Sequence, residues 1–285
     1  MLSLTQTRQA HRRRRKPYSD KQHYQEYILQ RIEGYKNSIA RDELLRLGDE
    51  AASELQATAE GQFVLTEVLM LESVDRLIMK RLSLRPYRRW KQQFIRLRAA
   101  QRTPTHWGLE PHCPLSPLLP RIEPEDTALV VGSAAAPTTY LLAAHDAAVT
   151  FLAGDLGCVD RVESRMAAEA LSSLFESYVT QFDPGLPEFL SFVEGLDIVV
   201  LDPGVLIELG AIGRNELIQD LQRRSRPGGV HVILPTCPAI APEALRSVYE
   251  GWTQEETSKR KRQGPRARHA PGLILCKPTC PEDTP

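Results

Sequence analysis

The sequence predicts an α/β fold, a doubly wound Rossmann-like sheet ending in an antiparallel hairpin, preceded by an all-α N-terminal region. Three observations carry that expectation. From Thr127 onward, short β-branched and apolar runs alternate with stretches at helical spacing. Residues 127–131, 197–202 and 229–234 are almost wholly apolar, as strands buried on both faces are. Ahead of them, Tyr24 to Ala100 contains a single proline, Pro86, and apolar positions recur at helical spacing, with a period near 3.6.

Residues 1–19 are basic and polar without apolar periodicity, which predicts a disordered tail. A helical domain is expected over 20–102, with helices at about 21–39, 41–60, 63–82 and 87–102. In the third, Leu65, Val68, Leu69, Val74, Leu77 and Ile78 share a face; in the fourth, Trp90, Phe94 and Leu97 do. Residues 103–120 hold five prolines and read as a linker. Trp107 and the leucines predict that it lies against a domain surface. An α/β domain is expected over 121–278, followed by a short tail, 279–285. Its strands are placed at 127–131, 148–152, 178–182, 197–202, 229–234 and 272–276, with a further strand near 252–257. Helices are placed at 137–145, 157–173, 186–194, 213–225 and 241–250.

Bulk properties set outer limits. Charged residues make up 25% and hydrophobic residues 42%, ordinary for a globular chain. No apolar run approaches the roughly 20 residues that cross a bilayer, and no secretory signal is read near the start. The net charge of zero conceals an asymmetry: +8 over residues 1–120, −11 over 121–250 and +3 over 251–285. Five scattered cysteines, with no CxxC pair, argue against zinc and disulfide scaffolds, so a cytoplasmic location is expected.

Several segments between His106 and Pro278 resemble the class I S-adenosylmethionine-dependent methyltransferases. They are the glycine turn VVGSAAAP, the strand LDIVVLDP, the turn RPGG before VHVIL, and EALRSVYEGW ahead of a closing hairpin. A dinucleotide fingerprint G-x-G-x-x-G is absent. The resemblance implies methyl transfer with S-adenosylmethionine as cofactor. It places Gly132, Ser133 and Ala134 at the turn that approaches the amino-acid part of the cofactor. Ala134, Ala135 and Ala136 stand where further glycines are usual. Asp155, two residues beyond the expected position, is matched to the ribose; Asp183 is matched to the adenine amino group. Asp202, ending strand four, is implied as a cofactor-facing or catalytic carboxylate. Each also has a plain structural reading: a tight turn for Gly132, helix caps for Asp155 and Asp202, a turn residue for Asp183. His231, inside strand five, reads as a core residue rather than a base, and His106, His112 and His145 have no motif partner.

Three basic clusters remain: Arg12 to Lys16, the ten Lys and Arg between Arg76 and Arg102, and Lys259 to Arg262 with Arg266 and Arg268. With Tyr87, Trp90 and Phe94 they suit a phosphate backbone, or else form a solvated face. The sequence thus supports a methyltransferase of undefined acceptor, a non-catalytic scaffold of the same fold, or a nucleic-acid-binding or RNA-methylating protein. The apolar helix 63–82 would also offer a partner interface, as in an oligomer, if it is not used within the chain.

Overall fold

The computed structural model describes residues 18–58, 67–182, 185–255 and 272–279. The basic clusters at 12–16 and 259–268, and Leu65, lie outside those residues. The described chain divides into two compact units, one spanning Tyr18–Leu97 and the other beginning at Arg98.

The first unit is helical. It comprises α1 (Asp20–Ser38), α2 (Arg41–Thr58), α3 (Glu67–Arg81) and α4 (Tyr87–Gln101), whose last turn belongs to the second unit. Ser19 opens α1 with a capping box: its hydroxyl accepts from the Gln22 backbone, and the Gln22 side chain accepts from the Ser19 backbone. Ile32, Leu47, Ala51, Leu77 and Ile78 form one small core. A second, aromatic seam joins α1 to α4 through Tyr24, Trp90 and Phe94, with the Trp90 and Phe94 rings 4.6 Å apart. The expected apolar faces are shorter than the periodicity suggested. Val68 and Leu69 are exposed while Leu77 and Ile78 are buried, because only the second half of α3 reaches this core. Leu97 likewise lies outside the aromatic seam.

The second unit is built on a seven-stranded sheet. Its strands are β1 (Thr127–Val131), β2 (Ala148–Ala153), β3 (Phe175–Val179), β4 (Leu196–Leu201), β5 (Ser225–Ile233), β6 (Thr253–Gln254) and β7 (Leu273–Cys276). Their order is β3-β2-β1-β4-β5-β7-β6; the first five are parallel and β7 is antiparallel to both neighbours. Alternation along the strands builds two cores. Ala128 and Val130 face one layer with α5 (Ala136–Ala144) and α6 (Leu156–Ala168). Leu129 and Val131 face the other with α7 (Ala211–Arg224).

Segment 103–120 is part of the first of these cores. Trp107, Cys113, Leu115 and Leu118 are buried in it, and Trp107 Nε1 donates to the Gln101 carbonyl at 2.6 Å. The prolines limit it to short 3-10 turns, at Pro104–Trp107 and Leu119–Arg121.

Three element assignments shift. The third strand runs Phe175–Val179 rather than 178–182. As the sheet's edge it tolerates Glu176 and Ser177, which a search for apolar residues passes over. The helices expected at 186–194 and 241–250 are 3-10 turns, Glu188–Leu190 and Pro242–Val248. RPGG opens β5 as a bulge rather than preceding it, with the register breaking opposite Leu196 and Ile198. Gly228 has φ +77°, and a Cβ on Gly229 would lie 2.8 Å from the Leu196 carbonyl oxygen. The Lys277 ammonium closes this end by donating to the carbonyls of Gln222 and Ser225 at the foot of α7.

Candidate functional site

The sheet order reverses between β1 and β4, so the turns that follow them meet at the C-terminal edge, where open α/β sheets bind ligands. The ladder runs right to that edge. Gly132 N–H donates to Leu152, Asp202 N–H to Val131 and Leu234 N–H to Leu201, at 2.8, 2.9 and 2.9 Å.

Gly132 leaves β1 with φ +103° and ψ 147°, a conformation essentially reserved for glycine. Its missing Cβ is needed inside the protein. A carbon built there would lie 2.5 Å from Asp202 Cβ and 2.9 Å from Val205 Cγ1. The turn after β1 is therefore pressed against the turn after β4. The next two residues, Ser133 and Ala134, are exposed, while Ala135 is fully buried beneath them. Tyr140 stays out of the turn: its ring stacks on Trp107 at 5.0 Å with the Arg165 guanidinium above both.

Asp202 is buried, 6% exposed, and its carboxylate joins three loops. One oxygen accepts from the Ala134 N–H at 3.1 Å, after β1. The other accepts from the Gly204 N–H at 2.9 Å, after β4, and from the Thr236 hydroxyl at 2.6 Å, after β5. Thr236 and Val205 were not candidates from the sequence. Neither belongs to a motif: Val205 follows Asp202 in the same 3-10 turn, and the strand order brings Thr236 to it.

Asp155 caps α6. Its two oxygens accept from the Gly157 and Cys158 N–H groups at 3.0 and 3.1 Å, and Arg161 lies 3.6 Å away in solvent. Asp183 lies outside the described residues. Four apolar side chains stand exposed on the same edge: Leu156 after β2, Val179 ending β3, and Ile207 and Ile212 after β4. Among the described residues no group of three or more His, Cys, Asp or Glu suits a metal, and no helix is long and apolar enough to cross a membrane.

The histidines are structural where they are buried. His231 Nε2 is 2.7 Å from the Ser225 hydroxyl, and Nδ1 is 2.9 Å from the Tyr249 hydroxyl. Burial, aided by the Lys277 charge, pushes its pKa down to about 3. Unfolded, the imidazole titrates near 6.5. Between these values the unfolded chain binds a proton that the folded one excludes, so stability falls as pH drops from about 6.5 towards 3. We expect a limiting slope of ~1.4 kcal/mol per pH unit from this residue. In urea titrations from neutral to mildly acid pH, the stability gap between wild type and His231→Gln should narrow as pH falls. A constant gap would contradict the buried neutral ring. His145 Nδ1 sits 2.9 Å from the Leu141 carbonyl, and burial lowers its pKa too. His106 lies edge-on to Trp107, 4.0 Å from Glu169, and His112 is exposed.

Five parallel strands closed by an antiparallel pair are the arrangement that the resemblance implied. The fold is methyltransferase-like. No family model matches the chain, and no curated protein does. Among solved structures it is similar to the N-methyltransferase NodS from Bradyrhizobium japonicum: 16% identity and TM-score 0.43, covering 67% of this chain and 96% of that one. It is also similar to a precorrin-6y C5,15-methyltransferase from Geobacter metallireducens, with 16% identity and TM-score 0.41, covering 58% and 86%. A third likeness is to YjhP from E. coli, at 19% identity and TM-score 0.33; it covers 40% of this chain and spans 44% of the length of that protein.

Proposed function

We propose that this methyltransferase-like edge binds S-adenosylmethionine and that the chain passes its methyl group to an acceptor. One observation carries the reading: where β1 and β4 diverge, Ser133 and Ala134 are exposed on a turn that no side chain of its own fills. Small side chains there leave the backbone open to the amino-acid part of the cofactor. Leu156 and Val179 offer apolar surface one and two strands along the same edge. Bound there, S-adenosylmethionine would supply a methyl group activated by its positive sulfur. The chain's own contribution is placement, which methyl transfer chiefly needs. Asp202 serves it by holding the loops after β1, β4 and β5 in one arrangement. Both its oxygens are engaged with those loops, so its part is positioning rather than proton transfer.

The test is thermal. At one hundred times its dissociation constant the cofactor, or its demethylated product, should stabilise the chain by about 2.7 kcal/mol. Gly132 is unsuitable as the site of a blocking substitution, because any side chain there strikes Asp202. Ser133→Trp, on an exposed position, should keep the unliganded melting temperature and lose the shift.

A second reading, a non-catalytic scaffold of the same fold, is favoured by the use of Asp155 as a helix cap and Asp202 as an internal brace. It predicts no shift with either ligand at millimolar concentration, in wild type and variant alike.

A further inference from the structure

Helix α4 carries no acidic residue, and its two long faces differ sharply. Trp90 and Phe94 turn inward, 8% and 7% exposed, and stack with the aromatic residues of α1. Opposite them Arg88, Arg89, Gln92, Ile95 and Arg96 are all exposed. At 3.6 residues per turn these five fall within an arc of about 120°, and Arg88 to Arg96 spans about 12 Å of helix. Neighbouring cations on α4 are neutralised in place: Lys91 pairs with Asp20 at 2.8 Å, and Arg98 pairs with Asp146. The side chains of Arg88, Arg89 and Arg96 have no partner among the described residues.

We infer that this face of α4 docks on the phosphate backbone of a nucleic-acid duplex. Three guanidiniums without a partner among the described residues, spread along one face, match a surface bearing one negative charge per roughly 1.7 Å of axis, and each can fork onto a phosphate. A protein partner fits less well, since interfaces need an apolar centre and this face offers only Ile95. A membrane fits less well too, because the aromatic residues that would anchor the helix in lipid headgroups are turned inside. The same inward turn argues against a single strand, whose bases stack on exposed rings. Gln92, central and uncharged, leaves room for the backbone to lie along the helix.

The inference does not depend on methyl transfer. It is tested by fluorescence anisotropy of the full chain with labelled duplex DNA, duplex RNA and single-stranded DNA across a salt series. A variant carrying Arg88→Gln, Arg89→Gln and Arg96→Gln together is compared with wild type. Glutamine keeps helix propensity near that of arginine, so the variant should melt as wild type does. Removing three phosphate contacts should make the log–log salt dependence shallower by about 2.7, with at least about tenfold weaker binding at low salt. Arg223→Gln, which removes a 76% exposed charge from the other unit, should change neither. Preference between the DNA and RNA duplexes identifies the natural backbone.

The inference is overturned by wild-type chain that binds no duplex, by a triple variant that binds as tightly as wild type, or by an equal loss in Arg223→Gln. Tighter binding to single strands or to anionic vesicles, or self-association of wild type at low salt that the variant lacks, would also overturn it.

Discussion

Gly132→Ala is expected to destabilise the α/β unit by about 3–5 kcal/mol, enough to lower its melting temperature by roughly 10 °C. Two costs combine. An L-residue is forced to φ +103°, and the added carbon overlaps Asp202 Cβ and Val205 Cγ1 at 2.5 and 2.9 Å. Gly195→Ala separates them, because that glycine has φ +67° with no atom within 4 Å of a built Cβ. It should lose only about 1–2 kcal/mol. Circular dichroism melts of the two variants provide the comparison. Equal losses would show that the turns after β1 and β4 part easily and that the packing against Asp202 contributes little.

Asp202→Ala should be comparably damaging, at about 3–5 kcal/mol, although it removes no large side chain. The Ala134 and Gly204 N–H groups and the Thr236 hydroxyl would each lose a charged acceptor, and with it the buried carboxylate that ties the three loops together. Asp202→Asn keeps the volume but turns one acceptor into a donor facing another donor, so about 1–3 kcal/mol should be lost. Thr236→Val removes a single bond and should cost about 1 kcal/mol. That graded series, read by chemical denaturation, is the signature of a brace. If Asp202→Ala melted at the wild-type temperature while abolishing methyl transfer, the carboxylate would be a reacting group instead.

The sheet was legible because its strands differ in burial. β1, β4 and β5 lie between two layers of side chains, and their sequences are correspondingly apolar. β3 escaped correct placement because an edge strand with Glu176 and Ser177 carries little of that signal. The helices expected at 186–194 and 241–250 are the short 3-10 segments Glu188–Leu190 and Pro242–Val248. The site was legible only in outline. Gly132 and Asp202 stood out, but as separate expectations of cofactor contact. That each accounts for the other became visible only when β4 was seen beside β1. The exposed face of α4 was present in the sequence as part of a long basic cluster. Its meaning depended on which of the ten cations had partners, and that depends on packing.

The position of β7 also bears on how the chain is put together over time. It is last of the seven strands in sequence, yet it sits inside the sheet, between β5 and β6. Until it docks, β5 is an open rim: Val230 to Ile233 lack their antiparallel partners, and His231 and Ile233 lie beside the gap. β6 has no partner at all in the described sheet until that moment, because it pairs only with β7. A chain interrupted before residue 272 would therefore present a row of unpaired backbone groups lined with valine and isoleucine, the kind of rim that recruits a strand from a neighbouring molecule.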